Sequence, residues 1–321
     1  MAEINVIGFG AVNLDNLYKV DEFIIDSEQV VADYVSLPGG SAANTIYSLA
    51  KLGVKTGFVG AVGMDEEGEQ LIKDLETAAV DTRQIRIKKA ETGSTICLSE
   101  KLGRRAIYVY PGANSLLNSK DIDLAYFNKA RIVHLTSFAD DRQFKLQVDL
   151  VKRLKNSVKV SFSPGMLYAA KGLKSLAPLL ERADIAFMNR EEIEKLTGRY
   201  FKAGARELVE SGCQIVVVTL GKGLAEVKVD MVTAYIDDGK KEYEVESEKL
   251  SPKFTLETTG AGDAFAAGFL FGLLKGKRIE ECGLLGDIMA GFVIREVGAR
   301  TGLPTLAQLS QKYLKRSGLR L

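Results

Sequence analysis

The chain predicts an α/β fold, a mostly parallel sheet covered by helices on both faces, and three observations carry that expectation. Short β-rich runs alternate with longer helical patterns along the chain. The β runs "INVIGFG", "KTGFVGAVG" and "QIVVVTLG" are almost continuously apolar, as strands buried on both faces must be. The 321 residues, 46% hydrophobic and 26% charged, suffice for one large core.

Taken in order, "INVIGFG" is the first strand, and Asn13 and Asp15 follow just past its C-terminal end, where such sheets collect ligands. An Asx turn would use the same residue types. Gly39 and Gly40 precede a helix from about Ala42 to Leu52 with Asn44 in its first turn, so backbone can approach a ligand while an amide points into the same space. A plain loop-to-helix junction is the alternative. "KTGFVGAVG" is the next strand, a helix runs from about Glu66 to Ala78, and "RIVHLT", "VKVSFS", "DIAFMN" and "QIVVVTLG" continue the βαβ rhythm. Two stretches interrupt it: 18–37, and 91–110 with "STICLSEKLGRRAIYVY" reading as a hairpin around Leu102-Gly103. These inserted strands would pair into a small sheet, a candidate lid on a single domain spanning 1–321. No Pro-, Gly- or Ser-rich linker, low-complexity tract or internal repeat divides the chain.

Composition excludes several function classes. Lysine plus arginine number 43 against 42 acids, a formal charge of +1 that offers nucleic acid or an anionic membrane no general attraction. Cys97, Cys213 and Cys282 are scattered without metal-ligand spacing, and His134 is the only histidine, in a strand-like run that suits a satisfied interior imidazole. Serine-protease chemistry and multi-histidine metal sites therefore lack raw material. The N-terminus lacks a signal-type pattern, and the most apolar helix, Ala264 to Leu274, is too short to span a bilayer, so a reducing cytoplasm is expected.

One segment carries chemistry. In "ETTGAGDAFAAGFL" the run Gly260-Ala261-Gly262 feeds an apolar helix whose first turn holds Asp263. A glycine-rich turn into a helix N-terminus is an anion cradle, because unpaired amides and the positive dipole end converge there. Any acid–base work falls to carboxylates. "GFGAVN" begins like a dinucleotide fingerprint, but Asn13 stands where a third glycine belongs, and the phosphate-loop-like run Gly272–Lys277 is too short and ends a helix. In "MNREEIEKL", Asn189 and Glu192 have capping-box spacing. "VTLGKGLAEV" reads as a strand, a glycine turn and a second strand.

Together these motifs resemble the PfkB carbohydrate kinases, the ribokinase-like family that includes nucleoside kinases. "GGSAAN" at 39–44 is similar to the family's sugar signature, "NREE" at 189–192 to its Asn-x-x-Glu motif and "TTGAGDAFAAG" at 258–268 to its C-terminal signature. The similarity is to archaeal nucleoside kinases in "YPGAN", "RIVHL", "VSFSPG" and "VGARTGLPT". The resemblance implies a ribokinase-like three-layer α/β/α domain with a small β-sheet lid, transferring the γ-phosphoryl of ATP to a primary hydroxyl. It makes Asp263 the base and the amides of Gly260, Ala261, Gly262 and Asp263 the cradle. It implies that Asn13, Asp15, Gly39, Gly40 and Asn44 hold the sugar, that Asn189 and Glu192 hold Mg2+ through water, and that Thr219, Gly221 and Gly223 border the nucleotide. On the lid, Arg105 or its neighbours Tyr108 and Tyr110 are expected to contact substrate. The protein would act as a monomer or as a homodimer through the lid.

Three departures from the family pattern matter. Glu257 stands for the usual aspartate at the start of the C-terminal signature, which weighs against a monovalent-cation site beside "VGARTGLPT". The turn after Thr219, "LGKG", is shorter than the common one. Thr136, which the resemblance places at the substrate, stands where ribokinases carry an acid, which favours a nucleoside or other ribosyl acceptor over free ribose. Two alternatives stay open: a kinase for phosphorylated sugars, served by Lys101, Arg104 and Arg105, and a non-catalytic sugar- or nucleotide-binding protein on the same fold.

Overall fold

The computed structural model of the protein describes residues 4–100, 104–221, 231–247 and 258–321. The chain opens with β1 (Val6–Phe9), β2 (Asn13–Val20), β3 (Asp33–Gly39), α1 (Ser41–Lys51), β4 (Thr56–Gly63), α2 (Glu66–Thr77) and β5 (Asp81–Lys88). It continues through β6 (Ser94–Glu100), β7 (Arg105–Tyr110), α3 (Leu124–Phe127), β8 (Ile132–Thr136), α4 (Asp141–Arg153), β9 (Lys159–Ser163), α5 (Gly165–Ala169) and α6 (Leu173–Leu180). β10 (Ile185–Asn189), α7 (Arg190–Thr197), α8 (Phe201–Glu210), β11 (Ile215–Thr219), β12 (Met231–Asp237) and β13 (Glu242–Ser247) follow, and α9 (Ala261–Leu274), α10 (Ile279–Val293) and α11 (Leu306–Ser317) close the chain.

Nine strands form the large sheet in the order β13-β12-β11-β10-β9-β8-β1-β4-β5. All neighbours from β11 to β5 are parallel, and β12 and β13 add an antiparallel edge. Period-two alternation sends apolar side chains to both faces: on β4, Val59 and Ala61 join one core, Phe58 and Val62 the other. Helices α3–α8 cover the first face, and α1, α2 and α9–α11 the second. Strand order reverses about β1, which lies between β4 and β8, and the crevice beyond the C-terminal ends of β1 and β8 is the topological switch point of the sheet.

The small sheet runs β3-β2-β6-β7. It is larger than expected, because alternation extends back to Asn13. Asn13 and Asp15 are therefore strand residues paired with Gly39 and Leu37, and the Asx-turn alternative is set aside. β6 and β7 are the antiparallel arms of the expected hairpin. Its turn, Leu102-Gly103, lies outside the described residues, as do Lys101, Gly223, Glu257 and the strand expected from Gly223 on. His134 is interior as expected, with Nδ1 2.9 Å from the Ser161 hydroxyl, but Nε2 has no partner. Burial pushes its pKa down to about 3, so the ring is neutral.

Candidate functional site

Asp263 is the third residue of α9. The turn before it is built by Gly260, at φ 76°, where a Cβ would lie 2.3 Å from that of Ala299; conformation and packing both demand glycine. Gly262 is a different case, since a Cβ there would meet nothing within 4 Å. Its bareness leaves room in a cleft of about 430 Å³, lined by Ser41, Ser163, Asn189, Glu192, Thr219 and Asp263 among others. Ser163, Asn189 and Thr219 end the adjacent parallel strands β9, β10 and β11, so the cleft lies on the carboxyl edge of the sheet. The cradle is narrower than expected: the Ala261 amide donates to the Thr258 carbonyl at 3.2 Å. Gly262 and Asp263, in the first turn of α9, have amides that lie outside the intrahelical ladder.

The Asp263 carboxylate is fixed from α1. Ser41 Oγ donates to Oδ1 at 2.6 Å and Asn44 Nδ2 to Oδ2 at 2.9 Å, while Thr45 Oγ1 donates to the Asp263 carbonyl at 3.3 Å. Burial raises its pKa to about 6 against these donors, with Asp15 adding to the rise and Arg300 opposing it. Arg300 is buried, its Nε donating to Asn44 Oδ1 at 2.9 Å, Nη2 to the Gly39 carbonyl at 3.2 Å and Nη1 to Asp74. Neither Ser41 nor Arg300 was expected from the motifs. Ser41 sits inside "GGSAAN", but Arg300 becomes visible only when the distant loop folds back.

Asp15 accepts from Thr95 Oγ1 at 2.8 Å, and burial raises its pKa. Asn13 Oδ1 accepts from Asn114 Nδ2 at 2.9 Å. Gly39 packs under the Asp15 carboxylate, and Gly40 is the N-cap of α1. Thr136, at the end of β8, is 2% exposed with its hydroxyl packed towards Gly10, a burial it shares with Asn44 at 3% and Asn13 at 6%.

Register separates the hairpin residues. Arg105, Ile107 and Val109 pair with Ser99, Cys97 and Thr95, and Thr95 lies beside Asp15, so these share the inner face. Arg105 Nη1 donates to Thr259 Oγ1 at 3.1 Å, next to the cradle. Tyr108 and Tyr110 pair with Ile96 and Ser94 on the opposite face; period-two alternation turns them away, so of the expected lid residues it is Arg105 that shares the inner face. Arg104 is bound to Glu100 and stands over the Phe23 ring.

Asn189 and Glu192 form the capping box: Asn189 Oδ1 accepts from the Glu192 amide at 2.8 Å, and Glu192 Oε2 from the Asn189 amide at 2.9 Å. Burial raises the Glu192 pKa to about 7, with the Asp263 charge contributing. Thr219 ends β11, and Gly221 follows at φ 64°.

A phosphotransferase acting on an alcohol group is the class that this fold and cleft define, and the chain belongs to the pfkB family of carbohydrate kinases, whose model matches residues 4–306. It is 39% identical over 260 residues to an uncharacterized sugar kinase of Archaeoglobus fulgidus, covering 80% of this chain and 98% of that one. It is 30% identical to an ATP-dependent ribose-1-phosphate kinase of Halopiger xanaduensis, covering 97% and 99%. With a nucleoside kinase of Methanothermobacter thermautotrophicus it shares 26% identity over 98% and 97%. Its fold matches the crystal structure of a ribokinase from Thermotoga maritima with a TM-score of 0.81, at 25% identity and 97% and 99% coverage. Kinases of this family use ATP, with Mg2+ as the usual partner metal, and among the described residues no helix is long and apolar enough to cross a membrane.

Proposed function

We propose that this chain transfers the γ-phosphoryl of ATP to a primary hydroxyl of a ribosyl compound, with Asp263 as general base. The observation that carries the reading is one carboxylate held by two donors from α1 beside bare amides at the N-terminus of α9. Asp263 takes the hydroxyl proton as that oxygen bonds to phosphorus, and the bond from phosphorus to the bridging oxygen of ADP breaks. Phosphoryl transfer needs chiefly in-line positioning and balanced charge on the transferred group, which the Gly262 and Asp263 amides supply. Asn13, Asp15, Gly39, Gly40 and Asn44 bind the sugar, and Thr219, Gly221 and Gly223 border the nucleotide.

The donor set fits magnesium. Glu192 is a hard oxygen donor lining the cleft, and the Asp263 charge adds to the rise in its pKa, a repulsion that a cation relieves. Magnesium is commonly held by one or two carboxylates together with waters and phosphates. Asn189 and Glu192 would hold it, and it would offset phosphate charge.

Arg105 on the inner face supports the small sheet as a lid. It also favours a second reading in which the acceptor carries a phosphate, since guanidinium suits phosphate recognition. The deciding experiment is an activity panel crossing ATP and ADP with nucleosides, ribose and ribose 1-phosphate. Nucleosides should exceed free ribose in kcat/KM. A sugar phosphate exceeding every nucleoside selects the second reading, and no transfer to any acceptor overturns the first.

A further inference from the structure

Outside the cradle, Arg300, on the loop between α10 and α11, joins three elements around the site. Its guanidinium works in three directions at once: to Asn44 on α1, to Asp74 on α2 and to the Gly39 carbonyl at the end of β3, with its plane over the Tyr47 ring. A buried arginine is costly unless every direction is used, and here each is. The contact with Asn44 carries information. Arginine offers only donors, so the Asn44 atom facing it must be the oxygen. The nitrogen must then face Asp263, as observed at 2.9 Å.

We propose that Arg300 is a positioning residue: by occupying the Asn44 side-chain oxygen it commits the amide nitrogen to Asp263 and keeps that carboxylate aimed into the cleft. The assignment rests on Asp263 being the base. Without Arg300 the amide is free to reverse and present oxygen to the carboxylate, which repels the ionised form and welcomes the protonated one. Charge acts in the same direction. Among the described residues, the groups around Asp263 are Asp15 from β2, Glu192 from α7 and Arg300 from the C-terminal loop; Asp74 on α2 acts through Arg300, and α1 contributes the neutral donors Ser41 and Asn44. Arg105 from β7 reaches Thr259, just before the turn. Arg300 is the cation that opposes Asp15.

The test is Arg300→Ala, with Arg300→Lys and Asp74→Asn as milder variants. In Arg300→Ala, kcat should fall by roughly ten- to hundredfold, the scale of a misaimed reacting group. The acid limb of kcat/KM should move to higher pH, and millimolar guanidinium, but not urea, should restore part of kcat. Arg300→Lys keeps the charge without the fork and should lose kcat nearly as far, and Asp74→Asn should lie between it and the wild type. Carbon-13 titration of the Asp263 carboxyl, assigned with Asp263→Asn, should show the same upward movement without any turnover. Wild-type phosphorylation in the same assay tests the kinase reading separately. If Arg300→Ala does not fold, Arg300→Lys and Asp74→Asn carry the decision. A folded variant with lower melting temperature but unmoved kcat, acid limb and carboxyl titration overturns the proposal and leaves Arg300 structural.

Discussion

The two sheets of this protein obey opposite rules. On β4 every residue is buried, and α9 is buried from Ala264 to Gly272. On β7, Ile107 is 57% exposed and Tyr108 62%, although they point to opposite faces. Burial on both faces makes the large sheet a rigid platform whose strand ends set Asn189 and Thr219, with α9 setting Asp263. The small sheet has no such cover. Polar links tie it down, Asn114 to Asn13 and Arg105 to Thr259, while Thr95 to Asp15 joins two of its own strands. The contrast teaches a division of labour, in which stability and chemistry rest on the covered sheet and selectivity on the uncovered one.

The largest expected effect breaks chemistry without breaking the platform. Asp263→Asn should lower turnover by about 10²–10⁴-fold, the range for lost general acid–base catalysis, with little change in acceptor binding. Burial raises this carboxyl above its ordinary value, to about 6. Its contribution to stability is therefore complete below the unfolded-state pKa and is lost as pH rises through 6. The variant should gain in melting temperature relative to wild type more at pH 8 than at pH 5; the reverse order would show that the ionised carboxylate stabilises the fold.

Next in size, Leu270→Ala in α9 should cost about 2–5 kcal/mol in denaturant unfolding, the range for a fully buried leucine. Ile107→Ala should stay within about 0.5 kcal/mol. Equal costs would erase the contrast between the sheets. A pH profile tests the platform's electrostatics. The base must be ionised, and the carboxyls of Asp263 and Glu192 sit at about 6 and about 7, so kcat/KM should fall on the acid side through that interval, and a flat profile from pH 7 to 5 would remove both from the chemistry.

Smaller effects sharpen the two faces of the small sheet. Arg105→Ala should raise the acceptor KM by roughly two- to fivefold, as for an exposed charged contact, whereas Tyr108→Ser on the outer face should leave it unchanged. A larger effect at Tyr108 would reverse the face assignment. The smallest expected effect is that of potassium against sodium at constant ionic strength. With Glu257 in place of aspartate, turnover should hardly respond, and a several-fold potassium-specific rise would refute this.

Legibility followed burial. Core strands such as Ile132–Thr136 and Ile185–Asn189 announce themselves because double-sided burial leaves no polar alternation to confuse with a helix. β2 starts at Asn13, ahead of the expected Tyr18, because one half-exposed face mixes Asn and Asp among its apolar residues. The motifs located Asp263, Asn44 and Asp15 in one region, but a local motif carries no sign of which side chains meet across more than two hundred residues. Ser41 in "GGSAAN" and Arg300 in "VGARTGLPT" both lie inside motifs, but neither motif shows that the one meets Asp263 and the other Asn44.

Three residues separate the end of β1 from the start of β2 at Asn13, and within that one strand Asp15 stands beside Thr95 while Lys19 and Val20 form the outer end of the small sheet. β2 is paired on both sides, and Val12, just before it, is held at both its amide and its carbonyl by the Asn114 side chain. The small sheet is therefore rooted in the molecule through a clamped joint.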